Sequence, residues 1–414
     1  MDTKLVKMVG LVLLTVLAGL TPVLGGCGGG EGEKTTGITI GFLADFTGPS
    51  ALTSAELHKG WTDYMKMVEA DNPIPGAKTK LVTYDTRLDY SRVVPGYIWL
   101  KAQGAKLIWD YSPIFHAMLK DKHLTDKIPS YTFVGDPQTL NVDWMYSFSV
   151  TYPMEAEAII EWILQDWDSR QQGRAIKVGY IGFSGYQSAV QMSEVFNSVH
   201  SQNPQRFTYK EVTSPIGSTA FATEITQLKD CDIIIVNVLG PSMASFLRES
   251  RERGYTGRYL GSSLGFMGFW DLVRNAVPDM TKMDGALAMH SQMLWTDQSA
   301  FMAQLTQSLQ RFRSADEAAQ LRKGTSWPTG YITGMILADV VRRAVAAVGA
   351  ENVDSAAIND ALKGIDMTVD GWGESWKFRD DSNILYRMFR AIQYKALDDE
   401  WHDLSGWFMA PAFR

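Results

Sequence analysis

Residues 261–265, GSSLG, have the residue types and spacing of a serine nucleophile. In α/β-hydrolases the G-x-S-x-G turn joins a strand to a helix and exposes the serine hydroxyl for attack on an ester. Ser263 would be that nucleophile if a histidine base and an acidic orienting residue stood beside it. The downstream candidates are His290 and His402 as the base, and Asp271, Asp279 and Asp284 as the orienting residue. With 36 glycines in the chain and no HGGG-type oxyanion segment, the pattern alone is weak evidence for an esterase.

The sequence gives little support for a metal site or a bound cofactor. The six histidines are scattered, and no HExxH motif or cysteine pair accompanies them. His116 and His123 fall on one face of a predicted helix, where we expect surface histidines. Gly182 and Gly185 lack the third glycine of a dinucleotide-binding fingerprint, so they predict a tight turn. We expect neither a metal nor a cofactor.

The N-terminus has the pattern of an exported lipoprotein. Two lysines precede an apolar core at residues 9–17, which is too short for a permanent membrane helix. Residues 24–27, LGGC, resemble the bacterial lipobox, whose cysteine is acylated after the signal peptide is cleaved. The sequence therefore predicts a signal peptide over residues 1–26 and lipidation of Cys27.

Glycine and charge after Cys27 predict a flexible tether over residues 27–36. The only other cysteine is Cys231, so we expect no internal disulfide. The anchor would hold the protein to the cell membrane or outer membrane, facing the periplasm or the exterior. A formal net charge of −7 gives no reason to expect nucleic-acid binding.

The elements that must position any site alternate between short apolar runs and amphipathic segments, in two successive series. Such alternation predicts an α/β fold of two Rossmann-like lobes, with parallel sheets covered by helices on both faces. After the two series, residues 330–348 and 355–362 predict helices, and later residues predict antiparallel strands with a turn at 380–383. The helices predicted within the series are residues 54–70, 90–103, 114–124, 155–167, 187–200, 220–229, 242–253 and 266–276.

Ligands of open α/β sheets bind outside the carboxyl ends of the strands, often at helix N-termini. After the first strand, Thr53 and Glu56 have the spacing of a capping box. After the third, Ser112 suits an N-cap and Pro113 the first helical position. Such a helix start favours a carboxylate or another electron-rich group, although Ser112 alone is equally typical of a simple cap.

From Ile38 to about Trp407, the chain resembles the Leu/Ile/Val-binding branch of the type I periplasmic substrate-binding proteins. The segments that carry this resemblance are IGFLADFTGP, KLVTYDTRLDYSRVV, GAKLIWDYSP, IPSYTFVGDPQTL, VGYIGFSGYQSA, LGPSMASFLRESRERGYTGRYLGSS and WGESWKFRDDSN. The resemblance implies a monomer that closes two lobes on a small-molecule ligand in a hinged cleft and delivers it to ABC permease subunits in the membrane. A ligand-sensing partner of a membrane receptor would share the same fold and cleft.

The resemblance also implies where the lobes divide and which residues meet the ligand. The chain would cross between lobes near Thr151, His290 and Asp370. Lobe 1 would comprise residues 37–150 and 291–369, and lobe 2 residues 151–290 and 370–414. The ligand wall would include Thr53, Tyr111, Ser112, Val134, Gly135 and Asp136 from lobe 1, and Tyr186, Leu239 and Ser263 from lobe 2.

Two departures from the family pattern bear on the ligand. Amino-acid binders of this family usually have a glutamate where Ser263 stands, to hold the ligand's ammonium, and a tyrosine where Leu239 stands. Without that carboxylate an ammonium would lack its usual partner, at a cost of several kcal/mol. We therefore expect a small organic acid, an aromatic acid or an amide, unless Asp110 or Asp136 restores an amino-acid site.

Overall fold

The computed structural model describes residues 35–170, 173–263, 265–379 and 382–413. The predicted signal peptide, Cys27 and the tether up to residue 34 lie outside this part of the chain. Within it, no helix combines the length and hydropathy that a membrane crossing requires.

The first sheet has five parallel strands in the order β2-β1-β3-β4-β5. Every residue of β3 and β5 is buried, as expected for parallel strands covered on both faces. The predicted helix at residues 114–124 is interrupted at Leu119 and forms two short helices. The elements are β1 (Thr36–Ala44), α1 (Ala51–Asp71), β2 (Ala77–Asp85), α2 (Val93–Ala102), β3 (Leu107–Asp110), α3 (Pro113–Met118), α4 (Lys120–Asp126), β4 (Ser130–Gly135) and β5 (Met145–Thr151).

The second sheet begins with five parallel strands in the order β10-β9-β8-β6-β7. Each parallel strand is joined to the next by a helix, so the predicted alternation appears here as well. Its elements are α5 (Tyr152–Ser169), β6 (Ile176–Phe183), α6 (Gln187–Gln202), β7 (Phe207–Ser214), α7 (Ala222–Leu228), β8 (Ile233–Asn237), α8 (Gly240–Glu252), β9 (Arg258–Gly261), α9 (Trp270–Ala276) and β10 (Leu287–His290).

The rest of the described chain adds four α-helices, a separate two-stranded antiparallel sheet and three further strands. The last three strands extend the second sheet, with β13 antiparallel to β10 and paired in turn with β14 and β15. The elements are α10 (Ala300–Phe312), α11 (Ala315–Leu321), α12 (Ser326–Val348), α13 (Ser355–Lys363), β11 (Asp366–Met367), β12 (Trp376–Lys377), β13 (Met388–Lys395), β14 (Glu400–Asp403) and β15 (Phe408–Met409).

Helices α1 and α12 pack at a distance that only glycine permits. A Cβ atom on Gly60 would lie 2.1 Å from the carbonyl oxygen of Trp327, and one on Gly330 would lie 1.9 Å from that of Leu57. Both contacts are with backbone, which cannot swing aside. The second and third turns of α1 are therefore held against the start of α12 beside the first sheet.

The chain leaves the first sheet for the last time later than expected. Ile384 bridges to Ser147 of β5, and the amide of Tyr386 donates to the carbonyl oxygen of Phe148 at 2.7 Å. From Met388 the chain belongs to the second sheet. The third crossing therefore lies at residue 387 rather than near Asp370, because the apolar residues between these positions, including the buried Trp372 and Trp376, pack into the core of the first sheet.

Candidate ligand-binding site

A cleft opens between the carboxyl ends of the two sheets. Its walls come from the segments after β1 and β3 and from the end of β4 on one side, and from the segments after β6, β8 and β9 on the other, with the first turn of α12 at its base. The empty volume is about 910 Å³, including space open to solvent. This is the position at which open α/β sheets bind ligands.

The structure brings most of the predicted wall together in this cleft. Thr53, Tyr111, Ser112, Val134, Tyr186 and Leu239 line it. Gly135, Asp136 and Ser263 do not line it. Ser112 also caps its own helix, since its hydroxyl accepts from the amide of Ile114 at 3.3 Å.

Asp136 is engaged elsewhere. Its side chain accepts a hydrogen bond from the amide of Gln138 at 2.8 Å and another from Nε2 of Gln187 at 2.9 Å. Only 1% of the residue is exposed. Because Gln187 begins α6 of the second sheet, this carboxylate joins elements of the two sheets rather than facing a ligand.

Asp110 lies beneath the wall in a buried polar cluster. Its Oδ2 accepts from the hydroxyl of Ser130 and lies 3.1 Å from Nδ1 of His116 and 3.8 Å from Nε2 of His123. Both histidines are fully buried, so the expectation of surface histidines is wrong. They serve as polar neighbours for a carboxylate that would otherwise be buried alone. Neither Asp110 nor Asp136 therefore reaches the cleft.

Ser263 and His290, the predicted nucleophile and base, do meet. The Ser263 hydroxyl lies 3.2 Å from Nδ1 of His290 and 3.3 Å from the hydroxyl of Ser291. The amide of Ser263 donates to Oε1 of Glu155 at 2.9 Å. Ser263, Ser291 and Glu155 line a second, small cavity that shares Val134 and Tyr152 with the cleft.

The pair does not form a triad with any of the predicted acids. Asp271 is hydrogen-bonded to Arg274 and Gln320, Asp279 to Thr281, and Asp284 to the amide of Ala396.

Burial, reinforced by the charge of Arg390, lowers the pKa of His290 to about 3. A histidine with this pKa is a poor proton acceptor at neutral pH. The alternative base His402 is paired with Asp398 on the surface.

Two groups of cleft residues were not predicted from the sequence. Six aromatic side chains line the cleft, and only two of them, Tyr111 and Tyr186, were predicted. The start of α12 was missed because the sequence predicted that this helix begins only at residue 330, whereas it begins at Ser326. The missed residues are Trp109, Phe133, Tyr152 and Phe269 among the aromatics, and Thr325, Ser326 and Thr329 at the start of α12.

None of the residues that line the cleft is Asp, Glu, Lys, Arg or His, within the described part of the chain. Burial raises the pKa of Tyr111 to about 12, so this side chain is neutral. Two acids lie close behind the wall. Burial, with a smaller effect of Asp271, raises the pKa of Glu56 to about 7, and burial likewise raises that of Glu155 to about 7.

Four long helices direct their N-termini towards the cleft. Their N-cap residues, Ser50 of α1, Tyr186 of α6, Leu239 of α8 and Thr325 of α12, all line it. None of the four caps its helix with a side-chain hydrogen bond. The predicted capping box is therefore wrong, because α1 begins at Ala51, three residues earlier than a cap at Thr53 would allow.

Comparisons with known proteins agree with this architecture. The sequence model of a family described as periplasmic binding proteins matches residues 37–399. No curated protein matches the chain in sequence.

Many solved structures share the fold. A branched-chain amino acid ABC transporter protein from Thermus thermophilus with bound valine has a TM-score of 0.77 at 13% identity, covering 92% of this chain and 98% of its own. A fatty acid ABC transporter substrate-binding protein from Thermomonospora curvata has a TM-score of 0.74 at 16% identity, covering 91% and 93%. A solute-binding protein from Rhodopseudomonas palustris BisB5 in complex with 3,4-dihydroxybenzoic acid has a TM-score of 0.70 at 16% identity, covering 91% and 99%.

Proposed function

The chain belongs to the periplasmic binding protein family, and from this premise we propose that it is the extracytoplasmic solute-binding component of an ABC importer. The predicted family and α/β fold are confirmed. The observation that carries the proposal is the cleft, whose walls come from two separate sheets joined by three crossings. Such an arrangement can close on a solute by rotation about the crossings. Proteins of the same fold are described as binding valine, fatty acid and dihydroxybenzoic acid.

The sheet pairing supports a division into two lobes. We assign residues 37–150 and 291–386 to lobe 1, and residues 151–290 and 387–414 to lobe 2. In this division Thr53, Tyr111, Ser112 and Val134 contact the solute from lobe 1, and Tyr186 and Leu239 contact it from lobe 2.

The protein would bind and release its solute without chemistry. Ser263 is buried, and its histidine neighbour lacks an orienting acid among the described residues. We expect no hydrolysis of a nitrophenyl ester above the background rate. Hydrolysis that disappears in Ser263→Ala would instead establish an esterase.

The membrane attachment is a separate proposal that rests on the sequence of residues 24–27. Acylated Cys27 would anchor the protein, as a monomer, to the membrane near its permease. Mass spectrometry of the mature protein should find an acylated N-terminal cysteine, and Cys27→Ser should move the protein to the soluble fraction. A mature protein that begins at another residue and carries no acyl group would contradict the proposed lipid anchor.

Native mass spectrometry tests the solute-binding function. The protein, purified from a heterologous host without refolding, should retain a small molecule at one copy per chain. Deleting the gene should then abolish uptake of that molecule. Uptake that persists, with loss of a cellular response, would show a sensing role, and a protein that neither retains a solute nor compacts with any solute would refute the proposal.

A further inference from the structure

The cleft wall carries no charged side chain, and this feature narrows the class of solute. The inference rests on the proposed function, because it concerns the solute that the cleft would hold. An α-amino acid brings an ammonium group and a carboxylate into the closed site. A buried ammonium without an anionic partner is strongly disfavoured.

The carboxylates close to the cleft already have other partners. Asp45 accepts hydrogen bonds from the amides of Gly48 at 2.6 Å and Ser50 at 2.7 Å. Asp85 accepts from the amide of Phe46 and the hydroxyl of Thr47, and Glu155 from the amide of Ser263. Each therefore holds a loop of the wall in place. None of the three lines the cleft.

Glu56 is the remaining acid near the base. It is 9% exposed and does not line the cleft, and one of its carboxylate oxygens faces Gly324. Its raised pKa means that it is largely protonated below neutral pH. Glu155 has the same property. Neither acid lines the cleft, and each is only about half ionised near neutral pH, so neither presents a full negative charge to a solute.

The polar groups that do face the cleft favour electron-rich atoms. The first turns of α1, α6, α8 and α12 present backbone N–H groups and the positive ends of their helix dipoles. An independent observation points the same way. Thr325 is 8% exposed, lines the cleft, and has a hydroxyl with no hydrogen-bond partner among the described residues.

The apolar part of the wall suits a flat ring. Trp109 stacks on Phe42 beneath the cleft, with ring centroids 3.9 Å apart and an interplanar angle of 12°. Tyr111 and Phe133 lie on the same side, and Tyr186 and Phe269 come from the segments of the second sheet. Aromatic walls on both sides can enclose a ring in stacked or edge-to-face contact.

We propose that the solute is an aromatic monocarboxylate that lacks an amino group, and that the cleft rejects the corresponding α-amino acid.

Calorimetry with matched ligand pairs tests the proposal on the purified full chain. The first pair is 3-phenylpropanoate and phenylalanine, which differ in the ammonium group. The second is 4-methylpentanoate and leucine, which lack the ring. We expect 3-phenylpropanoate to bind at least about 100-fold more tightly than phenylalanine, and more tightly than 4-methylpentanoate. Phenylalanine or leucine binding as tightly as its deaminated partner would overturn the proposal.

A variant that adds a carboxylate provides a second test. Leu239→Glu places an acid on the wall, and Leu239→Gln is the uncharged control of similar size. The preference for 3-phenylpropanoate over phenylalanine should fall at least tenfold in Leu239→Glu and stay within about threefold in Leu239→Gln. An unchanged preference in both variants would show that charge on the wall does not select the solute.

The variants Glu56→Gln and Glu155→Gln test whether the acids behind the wall act as ammonium partners. We expect neither substitution to alter phenylalanine binding. Phenylalanine binding that is lost in either variant would overturn the proposal and identify that acid as the partner. The proposal would also be overturned if neither 3-phenylpropanoate nor 4-methylpentanoate bound at millimolar concentration. Retention of a different solute in native mass spectrometry would in that case still support the transport function.

Discussion

Glu155 illustrates how one buried side chain couples the wall of the site to pH. It is 7% exposed, accepts from the amide of Ser263, and has its pKa raised by burial. The neutral carboxylic acid is therefore favoured in the folded protein but not in the unfolded chain.

We predict that Glu155 makes the protein less stable as pH rises. Its pKa is about 7 when folded, against 4.5 ordinarily, so between these values the folded state binds more protons than the unfolded state. Stability must then fall with rising pH, by about 3 kcal/mol over this window. Urea unfolding of wild type and Glu155→Gln from pH 4.5 to pH 8 measures the difference between them.

Subtracting the two curves removes other titrating groups, such as His290, which both proteins share. The exposed Glu194→Gln provides a control in which the difference should not change with pH. If the difference in unfolding free energy between wild type and Glu155→Gln were also independent of pH, Glu155 would be ionised in the folded protein.

Thr325 gives a second prediction at this scale, because its hydroxyl has no partner in the described structure. Thr325→Val should weaken binding of the solute found by native mass spectrometry about fivefold to tenfold, while leaving stability unchanged or slightly higher. Calorimetry and urea unfolding measure the two effects, and Thr325→Ser should retain affinity. A variant that loses stability but keeps its affinity would assign the hydroxyl a structural role.

Among the elements, the packing of α1 on α12 determines the base of the cleft. Both helices contribute lining residues from their first turns, and Gly60 and Gly330 set their separation. An error in this spacing would move Thr53 relative to Thr325.

We predict that Gly330→Ala destabilises the protein by about 2 to 4 kcal/mol. The added Cβ would overlap the backbone of Leu57, so the two helices must separate. Gly37→Ala is the matched control, since its Cβ would meet nothing within 4 Å. The midpoint of thermal unfolding should drop for the first variant only. Equal unfolding midpoints for Gly330→Ala and Gly37→Ala would mean that α12 can move away from α1 without loss of stability.

Local patterns predicted most helices and strands of the two sheets, because buried parallel strands and amphipathic helices differ in period. The start of α12 was not predictable in this way. Pro328 and Gly330 favour a break in an isolated chain, and only the contact with α1 explains why glycine stands within the helix. The crossing at residue 387 was missed for a related reason, since Trp372 and Trp376 find their places through tertiary packing.

The site was partly predictable for the same reason that the sheets were. Residues such as Tyr111 and Tyr186 directly follow strands, so their position in the cleft follows from topology. Asp136 and Ser263 also follow strands, but their side chains or amides are taken by Gln187 and Glu155. Such pairings between distant segments leave no trace in local sequence.

In the whole molecule, the cleft is bordered by contacts between the two sheets. Nε2 of Gln187 donates to Asp136 at 2.9 Å, and Nε2 of Gln320 donates to Asp271 at 2.8 Å. In a protein that closes on its solute, such contacts would favour the closed form and slow the release of the solute.

We predict that Gln187→Glu weakens solute binding about fivefold or more. The substitution sets a second carboxylate against Asp136, so closure brings two negative charges together. Small-angle X-ray scattering should show less compaction on adding the solute. Gln202→Glu adds the same charge at the far end of α6 and should bind like wild type. Equal compaction in both variants would show that the Gln187 contact does not contribute to closure.

The uncharged wall of the cleft also has a consequence for how the protein works in a mixture. Amino acids are zwitterions and are abundant wherever proteins are being degraded. A wall without an acid gives their ammonium groups no anionic partner, so they would compete for the cleft only weakly when present in excess. The protein would stay available for a scarce solute in surroundings where an amino-acid binder of the same fold would already be saturated.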